Sequence, residues 1–270
     1  MKFSSPEEIS SFTTTGQWKR LKDGRPEVSD NLLERMKLVT MEEAWGVLKP
    51  HGYNYQFDCN WMNLHPERVL VGRAVTASFT PIRPELNDEV EAWGQQRGYH
   101  GSQNNWVIQS LQKNDVPVVD MFGKIRDGTF VGDNLSTAVL ARAGTGMVID
   151  GGIRDVARIY EMPTINVFCR GIDPTPIRDV TLVGLNCSIR IGQATVLPGD
   201  VVLGTRGGVI FIPPHLAEEV VNTSEEVRVR DKFSKQRLAE GKYTSGQVDR
   251  GTWAEDLETD FQQWKKTHNF

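Results

Sequence analysis

The chain has 270 residues, 39% hydrophobic and 24% charged, the make-up of an ordinary soluble globular protein with room for one large domain or two small ones. A net charge of −4, with no basic run interleaved with aromatics, argues against a nucleic-acid or anionic-membrane partner. No apolar run reaches spanning length and the MKFSSPEEIS start has no apolar h-region, so a cytoplasmic location is expected.

Residues 1–28 read as a polar N-terminal extension ending in a Gly-Arg-Pro turn. Ser29 or Asp30 can cap a helix carrying Leu32, Leu33 and Met36, and a second helix is predicted over Met41 to Leu48, stopped by Pro50 and Gly52. Val69 to Ser78 is rich in β-branched residues and reads as a strand. Residues 82–103 read as a long loop or short helix of the kind that covers a site, followed by a helix over Trp106 to Gln112. Pro117 to Met121 is a short strand, Leu135 to Ala143 a helix capped by Gly144 and Gly146, and Met147 to Asp150 a strand. Val156 starts another helix and Asn166 to Cys169 another strand. From Val180 to Pro213 the pattern is all-β, with apolar segments at 189–191, 195–197, 201–203 and 209–212. A long helix over Leu216 to Glu240 follows, and then a C-terminal arm, 241–270, with Trp253, Leu257, Phe261 and Trp264 on one stripe. These elements predict one α/β domain over 29–240 with a mixed sheet, flanked by helical extensions.

Cys59, Cys169 and Cys187 form no CxxC, and the five histidines show no HxH or HExxH spacing. A disulfide framework or a thiolate zinc site is therefore not indicated, and a metal would sit on oxygen ligands. Two segments favour such a site. At Gly132-Asp133-Asn134-Leu135 a helix start offers N–H groups and partial positive charge to a carboxylate, although Asp133 read alone is a helix cap. At Asp150-Gly151-Gly152-Ile153-Arg154-Asp155 a buried strand ends in a flexible turn, where α/β proteins place ligands. Arg154 can grip a carboxylate bidentately, and Asp155 supplies an oxygen suited to Mg²⁺ or Mn²⁺. The Arg-Asp dipeptide itself is common here, recurring at 126–127, 178–179 and 230–231. Gly144-Thr145-Gly146 precedes a strand rather than following one, so it is a turn and no dinucleotide fingerprint.

Asp133, twenty residues, then Arg154-Asp155 resembles the D-x20-R-D pattern of the 4-hydroxy-4-methyl-2-oxoglutarate aldolase family, which includes the regulator of ribonuclease activity A. VVD at 118–120, GDNLSTA at 132–138, GMVIDGGIRD at 146–155 and the PGDVVLG…GVIFIP run at 198–213 are similar as well. The resemblance implies a swivelling α-β-β-α fold, assembled as a homo-trimer or homo-hexamer with sites between subunits. It implies a metal-dependent lyase that cleaves a 4-hydroxy-2-oxo acid to pyruvate and decarboxylates oxaloacetate. Asp155 would ligate Mg²⁺ or Mn²⁺, Arg154 would steady the enolate oxygen, N–H groups of Gly132, Asp133, Asn134 and Leu135 would hold the substrate carboxylate, and Asp133 would orient a water or hydroxyl. The chain departs from the pattern at Arg158, where members carry an acidic residue supporting the metal's water shell, and at Thr205, where an aspartate is common. Two other outcomes stay open: a hydro-lyase or isomerase acting on a sugar-derived acid, and a non-catalytic regulator binding a protein partner.

Overall fold

The computed structural model describes residues 1–13 and 19–268. The elements begin with β1 (Lys2–Phe3), α1 (Pro6–Phe12), α2 (Asp30–Met36), α3 (Met41–Leu48), a 3₁₀ turn (Lys49–His51), β2 (Phe57–Asp58), β3 (Met62–Asn63) and β4 (Leu70–Pro81). Next come α4 (Pro84–Gln96), α5 (Gln103–Gln109), β5 (Asp115–Thr129), α6 (Asp133–Ala143), β6 (Met147–Ile153), α7 (Val156–Tyr160) and β7 (Val167–Ile172). The chain then forms β8 (Val180–Leu185), β9 (Ile189–Ile191), β10 (Ala194–Val196), β11 (Val201–Thr205), β12 (Gly208–Ile212), α8 (Pro214–Ala239), α9 (Ser245–Val248) and α10 (Glu255–Thr267).

One ten-stranded mixed sheet organises them, in the order β2-β12-β11-β4-β5-β6-β7-β3, with β8 antiparallel to the end of β4 and β1 parallel to β8. Strands β4 to β7 are parallel. They are covered on both faces, which is why they read as unbroken apolar runs rather than alternating ones. Val75, Val119 and Ile149 meet α5, α6 and α7 through Trp106, Val139 and Ile159. Ala74, Val118, Val148 and Phe168 meet the β9–β10 hairpin through Ile189, Ile191 and Val196. Helices α2, α3 and α8 cover the β11–β12 end. The expected α/β fold with one mixed sheet is present, and among the described residues no helix is long and apolar enough to cross a membrane.

Several elements differ from the sequence expectation. Residues 82–103 hold the 13-residue helix α4. Gly94, which looks like a breaker, leaves room for the Trp106 ring, which a Cβ there would overlap. Strand β5 continues past Met121 to Thr129 with two register shifts against β6, as Phe122 and Asp127 take positive φ of 45° and 55°. The aromatic stripe of the C-terminal arm is not one of these: it is packing, as its one-sided period implies, and lies within the chain around Phe233 of α8. The polar N-terminal segment is anchored, because β1 joins the sheet and Arg25 is completely buried.

Arg25 enters a buried ionic network. Asp115 accepts from Arg25 Nη2 at 2.7 Å, Arg73 Nε at 3.2 Å and the Gln112 N–H at 2.8 Å. Arg25 also reaches Asp23 and the Ala74 carbonyl, and Arg73 the carbonyls of Val28 and Lys113. Arg25 and Asp115 are both fully buried, so removing the carboxylate would leave Arg73 without its ion-pair partner and Arg25 with Asp23 alone. Asp115→Ala is expected to lower the unfolding free energy by about 3–5 kcal/mol. By contrast Glu34→Ala, which breaks the exposed Lys37–Glu34 pair, should cost less than about 1 kcal/mol. Urea denaturation measures both, and equal effects would contradict this ranking.

Candidate functional site

Strand β5 makes the site by being long. Its irregular end pairs Thr129 with Gly152, Phe130 N–H donates to the Gly152 carbonyl at 2.9 Å, and Arg154 N–H donates to the Val131 carbonyl at 3.0 Å. These bonds set the start of α6 against the end of β6. Gly132 then lies so close to the Arg154-Asp155 turn that a Cβ on it would overlap Asp155 Oδ2 and sit 3.1 Å from Arg154 Nε. A side chain at 132 would push the Asp155 carboxylate aside, so glycine lets it come this close.

Asp155 is in the left-handed region, φ 55° and ψ 34°, as the residue before α7. That conformation costs an L-residue roughly 1–3 kcal/mol and persists only where the surroundings fix it. It turns the Asp155 carboxylate back toward Gly132, leaving Oδ2 at 3.6 Å from Arg154 Nε with both side chains about two-fifths exposed (38% and 43%). The same backbone state recurs at Asp127 and Asp179, φ 55° and 54°, in two of the other Arg-Asp pairs. The fourth pair lies inside α8.

Asp133 is not free. Its Oδ1 accepts the Asn134 N–H at 2.9 Å and its Oδ2 accepts Arg158 Nη1 at 2.9 Å. The Arg158 hydrogen bond holds the Asp133 carboxyl below the usual aspartate range, and Asp133 in turn raises Arg158. Gly132, not Asp133, is the residue capping α6. Of the expected N–H cradle, the Asn134 group is thus already used, while the Leu135 N–H has no acceptor among the described residues. The macrodipole of the 11-residue α6 adds partial positive charge at the same point.

Gly132, Asp133, Asn134, Leu135 and Arg154 line one cleft of about 280 Å³. Its other walls are Ser102, Asn104, Thr129, Phe130, Pro176 and Ile177, residues that sequence reasoning did not single out. Asn104 Nδ2 donates to the Phe130 carbonyl at 2.7 Å, and the Asp127 N–H donates to Thr175 Oγ1 at 2.7 Å, which ties the walls together. These links span 26 and 48 positions, beyond what local spacing reveals. Asp155 adjoins the cleft through Gly132. Among the described residues no group of three or more His, Cys, Asp or Glu converges as a metal cage. The donor set at Asp155 is one partly exposed carboxylate, suited to a hard cation that keeps most of its water shell and unsuited to a zinc-type cage.

A second polar group joins Asp150 of the 150–155 segment to residues distant in sequence. Asp150 and Asp58 grip Arg170, each at 2.6 Å, and Arg170 lies 3.6 Å over the Trp61 ring. Asp120 pairs in register with Asp150, and its carboxyl is raised, by burial first and by Asp150 in addition. Asp120, Asp150 and Arg170 lie within β5, β6 and β7, and their closeness is a signal available only once strand register is known.

The RraA-like (Aldolase/RraA) family pattern matches residues 26–211. The chain is 32% identical over 144 residues to protein DlpA of Legionella pneumophila, a match covering 53% of this chain and 23% of that protein's length. It is 25% identical over 172 residues to a Halalkalibacterium halodurans protein carrying the provisional name 4-hydroxy-4-methyl-2-oxoglutarate aldolase, covering 62% of this chain and 79% of the relative. In fold it is similar to RraAS2 of Streptomyces coelicolor, described as an unusual member of the RNase ES inhibitor RraA protein family. The TM-score is 0.66 at 24% identity, over 78% of this chain and all of that one. The chain belongs to the RraA-like family, which includes both aldolases and RraA regulators.

Proposed function

We propose that the cleft between α6 and the Arg154-Asp155 turn is the active site of a divalent-metal-dependent carbon–carbon lyase that cleaves a 4-hydroxy-2-oxo acid. The observation carrying this reading is the contact of Gly132 with both Arg154 and Asp155, which gathers an anion-attracting helix end, a guanidinium and a carboxylate in one place. Membership of a family that includes aldolases supports it. Asp155 would hold Mg²⁺ or Mn²⁺, and such an ion, when bound, supplies Lewis-acid stabilisation of charge on a substrate oxygen.

The chain's own groups do the rest. The Leu135 N–H and the α6 dipole hold the substrate carboxylate. Arg154, half-exposed and not engaged at short range by Asp155, donates to the 2-keto oxygen. As the C3–C4 bond breaks, its electron pair enters the C2–C3 bond and negative charge builds on that oxygen, where a preorganised guanidinium is most effective. The 4-hydroxyl loses its proton as the new carbonyl forms, and C3 regains one to give pyruvate. Asp133, fixed by Arg158, orients the water or hydroxyl involved. The reading assigns this chemistry to residues 29–240 within a homo-trimer or homo-hexamer. Phe122, Tyr160 and Ile172, all large apolar residues left exposed, are the candidate contact residues.

Purified protein should release pyruvate from 4-hydroxy-2-oxo acids or oxaloacetate with Mg²⁺ or Mn²⁺ and lose that activity in EDTA. Arg154→Ala should lower kcat by about 10²–10³-fold, and Asp155→Asn should abolish metal-dependent turnover. Fragment masses separate cleavage from water loss or isomerisation of a sugar-derived acid. Metal bound at Asp155 without turnover of any such acid would remove the lyase reading and leave the RraA-type regulator.

Arg158 feels the Asp155 charge as well as Asp133. Arg158→Ala is therefore expected to tighten Mn²⁺ binding several-fold at low ionic strength, with the gain shrinking as salt is added. Titration followed by Mn²⁺ electron paramagnetic resonance would show it, and unchanged affinity at low salt would mean that the ion does not bind beside Arg158.

A further inference from the structure

A second cavity, of about 490 Å³, lies at the opposite end of the sheet, between α1, the 52–56 segment, the β9–β10 hairpin and the start of α8. It shares no lining residue with the cleft at Gly132. Asp200, only 2% exposed, is part of its wall. Asp200 Oδ2 accepts the Leu197 N–H at 2.8 Å, and no side chain donates to this carboxyl among the described residues. The charges nearest to it in the fold are committed elsewhere: Arg25, beside Gly199, and Arg73, opposite Val201, both grip Asp115. Burial pushes the Asp200 carboxyl up to about 7.

The rest of the lining favours positive charge. No lysine or arginine is among the described lining residues. Its one imidazole, His215, is held toward the neutral form by burial first and by His51 second, and His51 itself faces Glu219. Tyr53 and Tyr55 offer aromatic faces, the electron-rich surface on which cations rest. The start of α8 offers few free N–H groups to an anion, because Pro213 and Pro214 have none and the Leu216 N–H donates to the Pro213 carbonyl. A nearly buried carboxyl to which no side chain donates among the described residues, in a cavity of this size also lined by two tyrosines, has the chemistry of an ammonium receptor.

We infer that this cavity is a ligand site for a small organic ammonium ion, with Asp200 receiving the ammonium and Tyr53 and Tyr55 packing against its apolar part. The site lies apart from the proposed lyase cleft and does not depend on the reading of that cleft.

The test uses phenethylammonium as probe and 2-phenylethanol as its neutral counterpart, each titrated into the intact protein by calorimetry into the millimolar range. Phenethylammonium should bind and 2-phenylethanol should bind at least about tenfold more weakly. Asp200→Asn keeps an acceptor for the Leu197 N–H and should weaken phenethylammonium by about tenfold or more. Tyr55 is 62% exposed, so Tyr55→Leu spares the fold, and it should weaken the probe by about threefold. Circular dichroism confirms that the variants are folded, and the Tyr55 variant decides the matter if the Asp200 variant is not. No binding by the native protein, equal binding of the alcohol, or affinity unmoved in the folded variants would overturn the assignment.

Discussion

The buried carboxylate of Asp115 is the constraint on which the rest of the molecule depends. It sits at the first residue of β5 and pairs with two guanidiniums, one from the N-terminal segment and one from β4. The neighbouring backbone extends the same junction: the Asn114 N–H donates to the Ala143 carbonyl at the end of α6, and the Thr145 hydroxyl donates to the Asp115 carbonyl. One point therefore fixes where β4 and β5 begin and where α6 ends. With that end held, α6 runs back along the sheet, and its other end must meet the carboxyl ends of β5 and β6. A buried ion triad is a costly way to join segments, because hydrophobic replacements of equal volume often do as well. What it supplies here is a unique alignment among parallel strands, which lack the hairpins that set register between antiparallel ones.

That alignment explains how so common a dipeptide marks a special place. Arg126-Asp127, Arg154-Asp155 and Arg178-Asp179 all put their aspartate in the left-handed region. The Asp127 carbonyl accepts the Arg178 N–H at 2.7 Å and the Asp179 carbonyl accepts the Ile82 N–H at 2.9 Å, so two of the three brace neighbouring chain segments. At 155 the backbone oxygen instead starts α7, accepting from Arg158 and Ile159, and the side chain faces a glycine. The three turns share a conformation. Only the partner across the gap differs, and Gly132 is what leaves the Asp155 carboxylate approachable.

Much of this was legible in the sequence because the signals were local. The Gly144 cap, the β-rich run from Val180, the long helix to Ala239 and the union of Gly132 with Arg154 follow from turn chemistry and hydrophobic period. The misses share one cause, a long-range partner that reverses a local preference. Gly94 stands within α4 because Trp106 fills the space its side chain would take. β5 runs on through residues at positive φ because β6 continues to pair with it. Arg25 reads as part of a solvated turn, yet Asp115, 90 positions away, draws it inside. The cleft walls at Asn104 and Thr129 likewise depend on links between segments that no motif records.

Arg158 carries the most consequential of these long-range partnerships, since it changes what Asp133 can do. An aspartate at a helix start is already a weak base, and a guanidinium 2.9 Å away lowers its proton affinity further. Proton transfer to such a group near neutral pH has little driving force, whereas a general base works best with a pKa near the working pH. Within the proposed lyase reading Asp133 is therefore an orienting group, and the proton of the 4-hydroxyl must leave through water or to a group the substrate itself carries. The arrangement also leaves Arg158 with exposed donors beyond the one used by Asp133, since 77% of its side chain is accessible at the α7 start. Arg158 does not itself line the Gly132 cleft, so its hold on that site runs through the Asp133 carboxylate, which does.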